Sequence, residues 1–121
     1  MKTDKKKYAV IVAGGTGSRL GGGLPKQFRD LNGKPVIWWS MKAFKDADPD
    51  TEIILVLHAD YVGTWNDLYS SLPEDARIAH HVVRGGATRT ESVVNGIARI
   101  EDSEDVLIAV HDAARPLVSS A

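Results

Sequence analysis

Three short segments hold the residues that could do chemistry. The first, Gly14-Gly15-Thr-Gly17-Ser-Arg19-Leu-Gly21-Gly22-Gly23-Leu-Pro25-Lys26-Gln27, directly follows an apolar run. Glycines let a backbone turn sharply and approach a ligand, and successive N–H groups in such a loop can cradle phosphate oxygens. Arg19 and Lys26 put two cations beside that loop, which is what a polyphosphate requires. Two common phosphate motifs do not fit. Leu20 stands where the dinucleotide fingerprint needs a third glycine or alanine, and no acidic residue follows about 20 positions on at a strand end. Lys26 is followed by Gln27 rather than Ser or Thr, which breaks the P-loop pattern.

The second segment is Arg84-Gly85-Gly86-Ala-Thr88-Arg89-Thr-Glu91-Ser92-Val93. Gly85 and Gly86 can offer backbone groups to a ligand, and Ser92 can hydrogen-bond a base edge or a phosphate. The plainer alternative is a turn followed by a solvated helix residue. The third segment, His111-Asp112-Ala113-Ala114-Arg115-Pro116, ends an apolar run. A carboxylate leaving such a run is costly to bury without a partner or a metal. Its hard oxygens suit Mg²⁺ or another divalent cation, which takes one or two protein carboxylates together with substrate phosphates. Arg115 adds a guanidinium fork for a phosphate, or it pairs internally with Asp112. His58, His80 and His81 lack ligand spacing and read as structural, and His111 reads as a packed strand residue.

The elements that must position these segments follow from hydrophobic pattern. Tyr8–Ala13, Glu52–His58 and Asp105–His111 are continuous apolar runs, with a weaker one at Ala79–Val83. None of the strong runs alternates, so both faces should be covered, as in a parallel sheet between helices. Pro35 suits a first helical turn, followed by Ile37, Met41 and Phe44. Asp60 can cap a second helix with the stripe Tyr61, Trp65, Leu68 and Leu72. Thr88-x-x-Glu91 is a capping box that opens a third helix, with Val93, Val94, Ile97 and Ile100 on one side. The alternation implies an α/β, doubly wound, Rossmann-like and mostly parallel sheet with helices on both faces. In the order 3-2-1-4 the switch point lies between the first and last strands. The glycine loop and Asp112 would then open on one crevice at the carboxyl edge.

Composition narrows the class. With 121 residues, 43% apolar and 26% charged, the chain can form one domain with a core and is not disordered by composition. Its 15 basic and 16 acidic residues give a net charge of −1, so no basic excess points to nucleic acid. The absence of cysteine excludes disulfides, thiolate metal sites and thiol catalysis. The run after Lys7 is too short for a signal peptide, and no stretch approaches the ~20 apolar residues of a membrane span. A cytoplasmic location fits. The chain stops just after a strong strand, so residues 1–121 read as the N-terminal part of a single domain, incomplete at the C-terminus, with a minimal domain as the alternative.

These segments resemble the 2-C-methyl-D-erythritol 4-phosphate cytidylyltransferase family. Ala13–Leu20 with Leu24-Pro-Lys-Gln27 is a broad nucleotidyltransferase signature, Gly85–Val93 is narrower, and His111–Pro116 is the most specific. The resemblance implies transfer of CMP from CTP to 2-C-methyl-D-erythritol 4-phosphate, with release of pyrophosphate, in isoprenoid precursor synthesis. It implies that Arg19 and Lys26 are catalytic. It assigns the nucleotide to Ala13, Gly14, Gly15, Gly17, Gly86, Arg89, Ser92, Asp112 and Ala113, with Gly86 and Ser92 toward cytosine. Asp112 would be the Mg²⁺ ligand, and Arg115 would face the acceptor. Ala87 stands where some relatives carry an acidic residue. The family's remaining strands and acceptor-binding basic residues would lie beyond Ala121, so the 121-residue chain alone is expected to be inactive and the full-length protein a homodimer. Ribitol 5-phosphate cytidylyltransferases are similar in the same loops. Ala114 favours methylerythritol phosphate, because those relatives often carry valine there. A nucleotide-binding module without turnover is the third possibility.

Overall fold

The structure, a computed structural model, describes residues 6–13, 28, 30–100 and 106–112. Four parallel strands form the main sheet: β1 (Lys6–Ala13), β4 (Glu52–Leu57), β5 (His81–Arg84) and β6 (Val106–Asp112). Their order is β5-β4-β1-β6. In terms of the four apolar runs this is the expected order 3-2-1-4, with all strands ending at one edge. A two-stranded hairpin, β2 (Asp30–Leu31) and β3 (Lys34–Pro35), precedes α1 (Val36–Ala47). Its turn residues Asn32 and Gly33 have φ of 52° and 92°. That is the left-handed geometry for which Asn-Gly is suited. The hairpin changes the role of Pro35. It is the extended N-cap of α1 and the ladder partner of Asp30, not a residue of the first helical turn.

The apolar runs of β1 and β4 are buried because helices cover both sides of the central strands. On one face Ala9, Ile11 and Ala13 of β1 join Ile53, Leu55 and Leu57 of β4. Ile37 and Met41 of α1, Trp65 of α2 (Val62–Ser70) and Phe28 close that core. On the other face Tyr8, Val10, Val12, Ile54 and Val56 meet Val93 of α3 (Arg89–Ala98) and Ile100 just beyond it.

Three expectations are corrected by packing. Asp60 does not cap α2. His58 Nδ1 accepts the Asp60 N–H at 3.1 Å and caps a 3₁₀ turn over Ala59–Tyr61, and α2 starts only at Val62. The buried face of α3 is not the Val94–Ile97 side, since both of those residues are exposed. Ser92 and Gly96 lie against the sheet instead. A Cβ on Gly96 would stand 2.8 Å from both Val10 Cγ1 and Val56 Cγ2, so its absence lets α3 approach closely. Finally, β6 is not covered on both faces: Leu107, Ile108 and Val110 are exposed.

Below the carboxyl edge, α2 is tied to the segment before β5 by a polar cluster in an otherwise apolar core. Trp65, fully buried, donates from Nε1 to His80 Nε2 at 3.0 Å. The opposite ring nitrogen of His80 lies 2.7 Å from the Ile78 carbonyl, to which the Tyr69 hydroxyl also donates at 2.9 Å. A ring that accepts from Trp65 and donates to a carbonyl is neutral. Burial, assisted by the neighbouring His81, holds His80 below its usual value of 6.5. The unfolded chain therefore binds the proton more readily. Stability contributed here is intact above about pH 6.5 and falls as pH drops through the folded-state value. Thermal unfolding at pH 7.5 and pH 5 should show this loss, and His80→Gln should flatten it. An unchanged pH slope in that variant would place the titration elsewhere.

Candidate nucleotide site

The carboxyl edge of the sheet gathers the described candidate residues. β1 and β6 pair in register with Val12 opposite Asp112, so the strand leading to the glycine loop ends beside that carboxylate. Val12 belongs to the core beneath α3, and paired residues of parallel strands share a face, so Asp112 lies on the α3 side. Asp112 is half-buried, and Ala13 is buried at the end of β1. A single half-buried carboxylate is a donor set suited to Mg²⁺, which fills its remaining positions with water and phosphate oxygens. No cluster of three or more acidic, His or Cys side chains occurs among the described residues, as an all-protein metal cage would need.

The loop between β5 and α3 is built by the first turns of the helix. Thr88 is the extended N-cap, and its Oγ1 accepts the Glu91 N–H at 3.1 Å. In the usual capping box the glutamate reaches back to the cap residue's own N–H. Here Glu91 Oε1 instead accepts the N–H of Ala87, one residue earlier, at 2.7 Å. Ser92 is buried rather than solvated, and its Oγ accepts the Gly86 N–H at 3.1 Å. The Gly85 N–H donates to the Leu57 carbonyl at 2.7 Å, continuing the β4–β5 ladder by one residue. Asn95 Nδ2 donates to the Arg84 carbonyl at 3.1 Å.

This geometry explains the glycine pair. A Cβ on Gly85 would sit 2.6 Å from Ser92 Oγ, and one on Gly86 would sit 2.5 Å from Glu91 Cβ. Close approach of α3 side chains, rather than an unusual φ, demands glycine at both positions. The three consecutive amides of Gly85, Gly86 and Ala87 are all donated internally. No hydrogen bond among the described residues ends on the carbonyl of Gly85 or Gly86. A backbone carbonyl is an acceptor that suits an amino group, and a serine hydroxyl that accepts one hydrogen bond still carries a proton.

Arg89 is exposed at the first residue of α3. Gly14, Gly15, Gly17, Arg19, Lys26, Ala113 and Arg115 lie outside the described residues. The structure thus brings Ala13, Gly86, Ser92 and Asp112 to one edge of one sheet. Glu91 and Asn95 were not singled out as site residues from sequence. The capping-box pattern marks Glu91, but nothing in the sequence marks Asn95.

A four-stranded parallel sheet with helices on both faces defines a Rossmann-like α/β class of domain. Residues 8–121 match the family model described as IspD, 2-C-methyl-D-erythritol 4-phosphate cytidylyltransferase, and the chain belongs to that family. It is 43% identical over 114 residues to the 2-C-methyl-D-erythritol 4-phosphate cytidylyltransferase of Azobacteroides pseudotrichonymphae, covering 94% of this chain and 50% of that protein. The protein of the same name from Porphyromonas gingivalis is 44% identical over 117 residues, covering 97% of this chain and 50% of that protein. The chain spans about half the length of these curated relatives. Among solved structures, the 4-diphosphocytidyl-2C-methyl-D-erythritol synthase of Anaerococcus prevotii superposes with a TM-score of 0.67 at 24% identity. That match covers 93% of this chain and 45% of the other, and at that identity it bears on the fold alone.

Proposed function

We propose that this chain forms the CTP-binding part of an enzyme that transfers CMP from CTP to 2-C-methyl-D-erythritol 4-phosphate. An oxygen of the acceptor phosphate attacks the α-phosphorus, and the bond to the leaving pyrophosphate breaks. The observation that carries the reading is the Val12–Asp112 register, which sets the entry to the glycine loop beside a carboxylate on the α3 side of the sheet. The Gly85–Ser92 segment follows β5 at the same edge, and in this reading its carbonyls and the Ser92 hydroxyl meet the base.

In this reading the glycine loop, Gly14, Gly15 and Gly17, holds the triphosphate through its N–H groups. Arg19 and Lys26 face the charge that builds on the transferring phosphoryl group and its leaving oxygen. Such transfer needs position and electrostatic stabilisation rather than a covalent nucleophile. Asp112 would hold Mg²⁺ together with nucleotide phosphates, and the ion supplies charge neutralisation at the leaving group. Gly86 and Ser92 stand at the cytosine, Arg89 and Ala113 toward the nucleotide, and Arg115 toward the acceptor. A homodimer of the full-length protein in the cytoplasm belongs to the same reading.

The acceptor is decided by product. A polypeptide of the relatives' length containing these residues, given CTP and Mg²⁺, should release pyrophosphate with methylerythritol 4-phosphate and turn over ribitol 5-phosphate far more slowly. Faster turnover of ribitol 5-phosphate would reassign the acceptor and leave the CTP site in place.

A further inference from the structure

We infer that Glu91 and Asn95, which lie outside the nucleotide-contacting set, are positioning residues for base recognition. The inference deepens the reading of Gly86 and Ser92 as the cytosine side of the site, and it rests on that reading.

Three side chains of α3 act on the preceding loop at three successive points. Asn95 holds the Arg84 carbonyl, Ser92 holds the Gly86 amide, and Glu91 holds the Ala87 amide. The spacing explains how one helix does this, since residues 91 and 95 are i and i+4 neighbours on one face, and 92 lies beside them. Thr88 alone satisfies the helix cap. The carboxylate of Glu91 is thereby released from capping and is spent on the loop instead. Asn95 is unusual in a helix interior, where its side chain competes with the backbone. Here it points outward from the helix to the last carbonyl of β5.

The consequence is directional. With the N–H groups of Gly85, Gly86 and Ala87 tied down, the carbonyls of Gly85 and Gly86 have a fixed heading and can distinguish an amino group from a carbonyl on a base. An amino group donates to them, whereas a carbonyl in the same place meets lone pair with lone pair. CTP and UTP differ in this way at one ring position. Loosening the loop should therefore cost selectivity between those two nucleotides more than it costs triphosphate affinity.

Glu91 and Asn95 are both exposed, so substitution leaves the core untouched. The test measures binding of CTP and UTP to the chain in the presence of Mg²⁺, in wild type, Glu91→Ala, Glu91→Gln and Asn95→Asp. The ratio of the two affinities cancels contacts to the triphosphate and any uniform loss of folded protein. Glu91→Ala and Asn95→Asp, each losing one hydrogen bond to the loop, should lower the CTP-to-UTP preference about 3–10-fold. Glu91→Gln keeps an acceptor oxygen for the Ala87 amide and should retain the preference. Amide hydrogen exchange gives a second readout without ligand: the Ala87 N–H should lose protection in Glu91→Ala and keep it in Glu91→Gln. A wild-type preference for CTP that survives both damaging variants would overturn the positioning role and leave the cytidine reading standing. A wild type with no preference would overturn the cytidine reading itself, and the positioning role with it.

Discussion

Replacing either Arg19 or Lys26 with alanine is expected to slow cytidylyl transfer at least ~10²-fold, the loss typical of a missing electrostatic donor to a transition state. Both cations flank a glycine loop that leaves the end of β1, the strand whose last residues run beside Asp112. Negative charge is dense on the triphosphate before reaction and shifts toward the leaving pyrophosphate as the bond to the α-phosphorus breaks. A cation placed at that position strengthens its interaction as the reaction proceeds. Removing it should lower kcat and kcat/KM together, with a smaller change in KM. The measurement is steady-state pyrophosphate release by the single variants in a polypeptide of the relatives' length. Near-normal turnover in one variant would remove that residue from the catalytic set. A rise in KM alone would make it a ground-state binding residue.

How much was legible in the sequence depended on whether hydrophobicity alone determined the outcome. β1 and β4 are buried on both faces, and unbroken apolar runs such as Tyr8–Ala13 announce this directly. Their order in the sheet is that of the 3-2-1-4 doubly wound template, which alternation permits but does not by itself select. β6 has the same composition, yet Ile108 and Val110 are exposed. Apolar content records a tendency to be covered, but it does not name the element that does the covering. α3 shows a second limit. Its apolar residues suggested one buried side holding Val93, Val94, Ile97 and Ile100, whereas only Val93 and Ile100 pack on the sheet and the buried positions are Ser92 and Gly96. Small residues carry no hydrophobic signal, although they set how closely a helix approaches a sheet. The β2–β3 hairpin had a local signal in Asn32-Gly33, but the two-residue strands are too short to show periodicity.

The candidate site was legible as residue types at spacings, and less so as hydrogen bonds. Thr88 caps α3 as its pattern indicates. The reach of Glu91 to Ala87 instead of Thr88, and of Asn95 to Arg84, depends on the path of the loop between them. That path is fixed by the Gly85 N–H joining the Leu57 carbonyl, a contact between residues 28 positions apart that no local pattern records.

Selective stabilisation by CTP is the other large effect expected, and it bears most directly on the claim that this chain forms a cytidine-nucleotide site. A ligand that binds only the folded state at 100 times its dissociation constant adds about 2.7 kcal/mol of stability. For a domain of roughly 100 residues, each 1 kcal/mol moves the midpoint by about 4–8 °C. Saturating CTP with Mg²⁺ should therefore raise the unfolding midpoint of this chain by on the order of 10 °C. ATP and GTP share the triphosphate but not the pyrimidine edge, and they should shift it clearly less. NAD should not shift it, since Leu20 breaks the dinucleotide fingerprint. The deciding measurement is the thermal midpoint of the chain with Mg²⁺ and each nucleotide at equal concentration. A CTP shift well above those of ATP and GTP is the predicted result, and equal shifts for all three, or none with CTP, would contradict it.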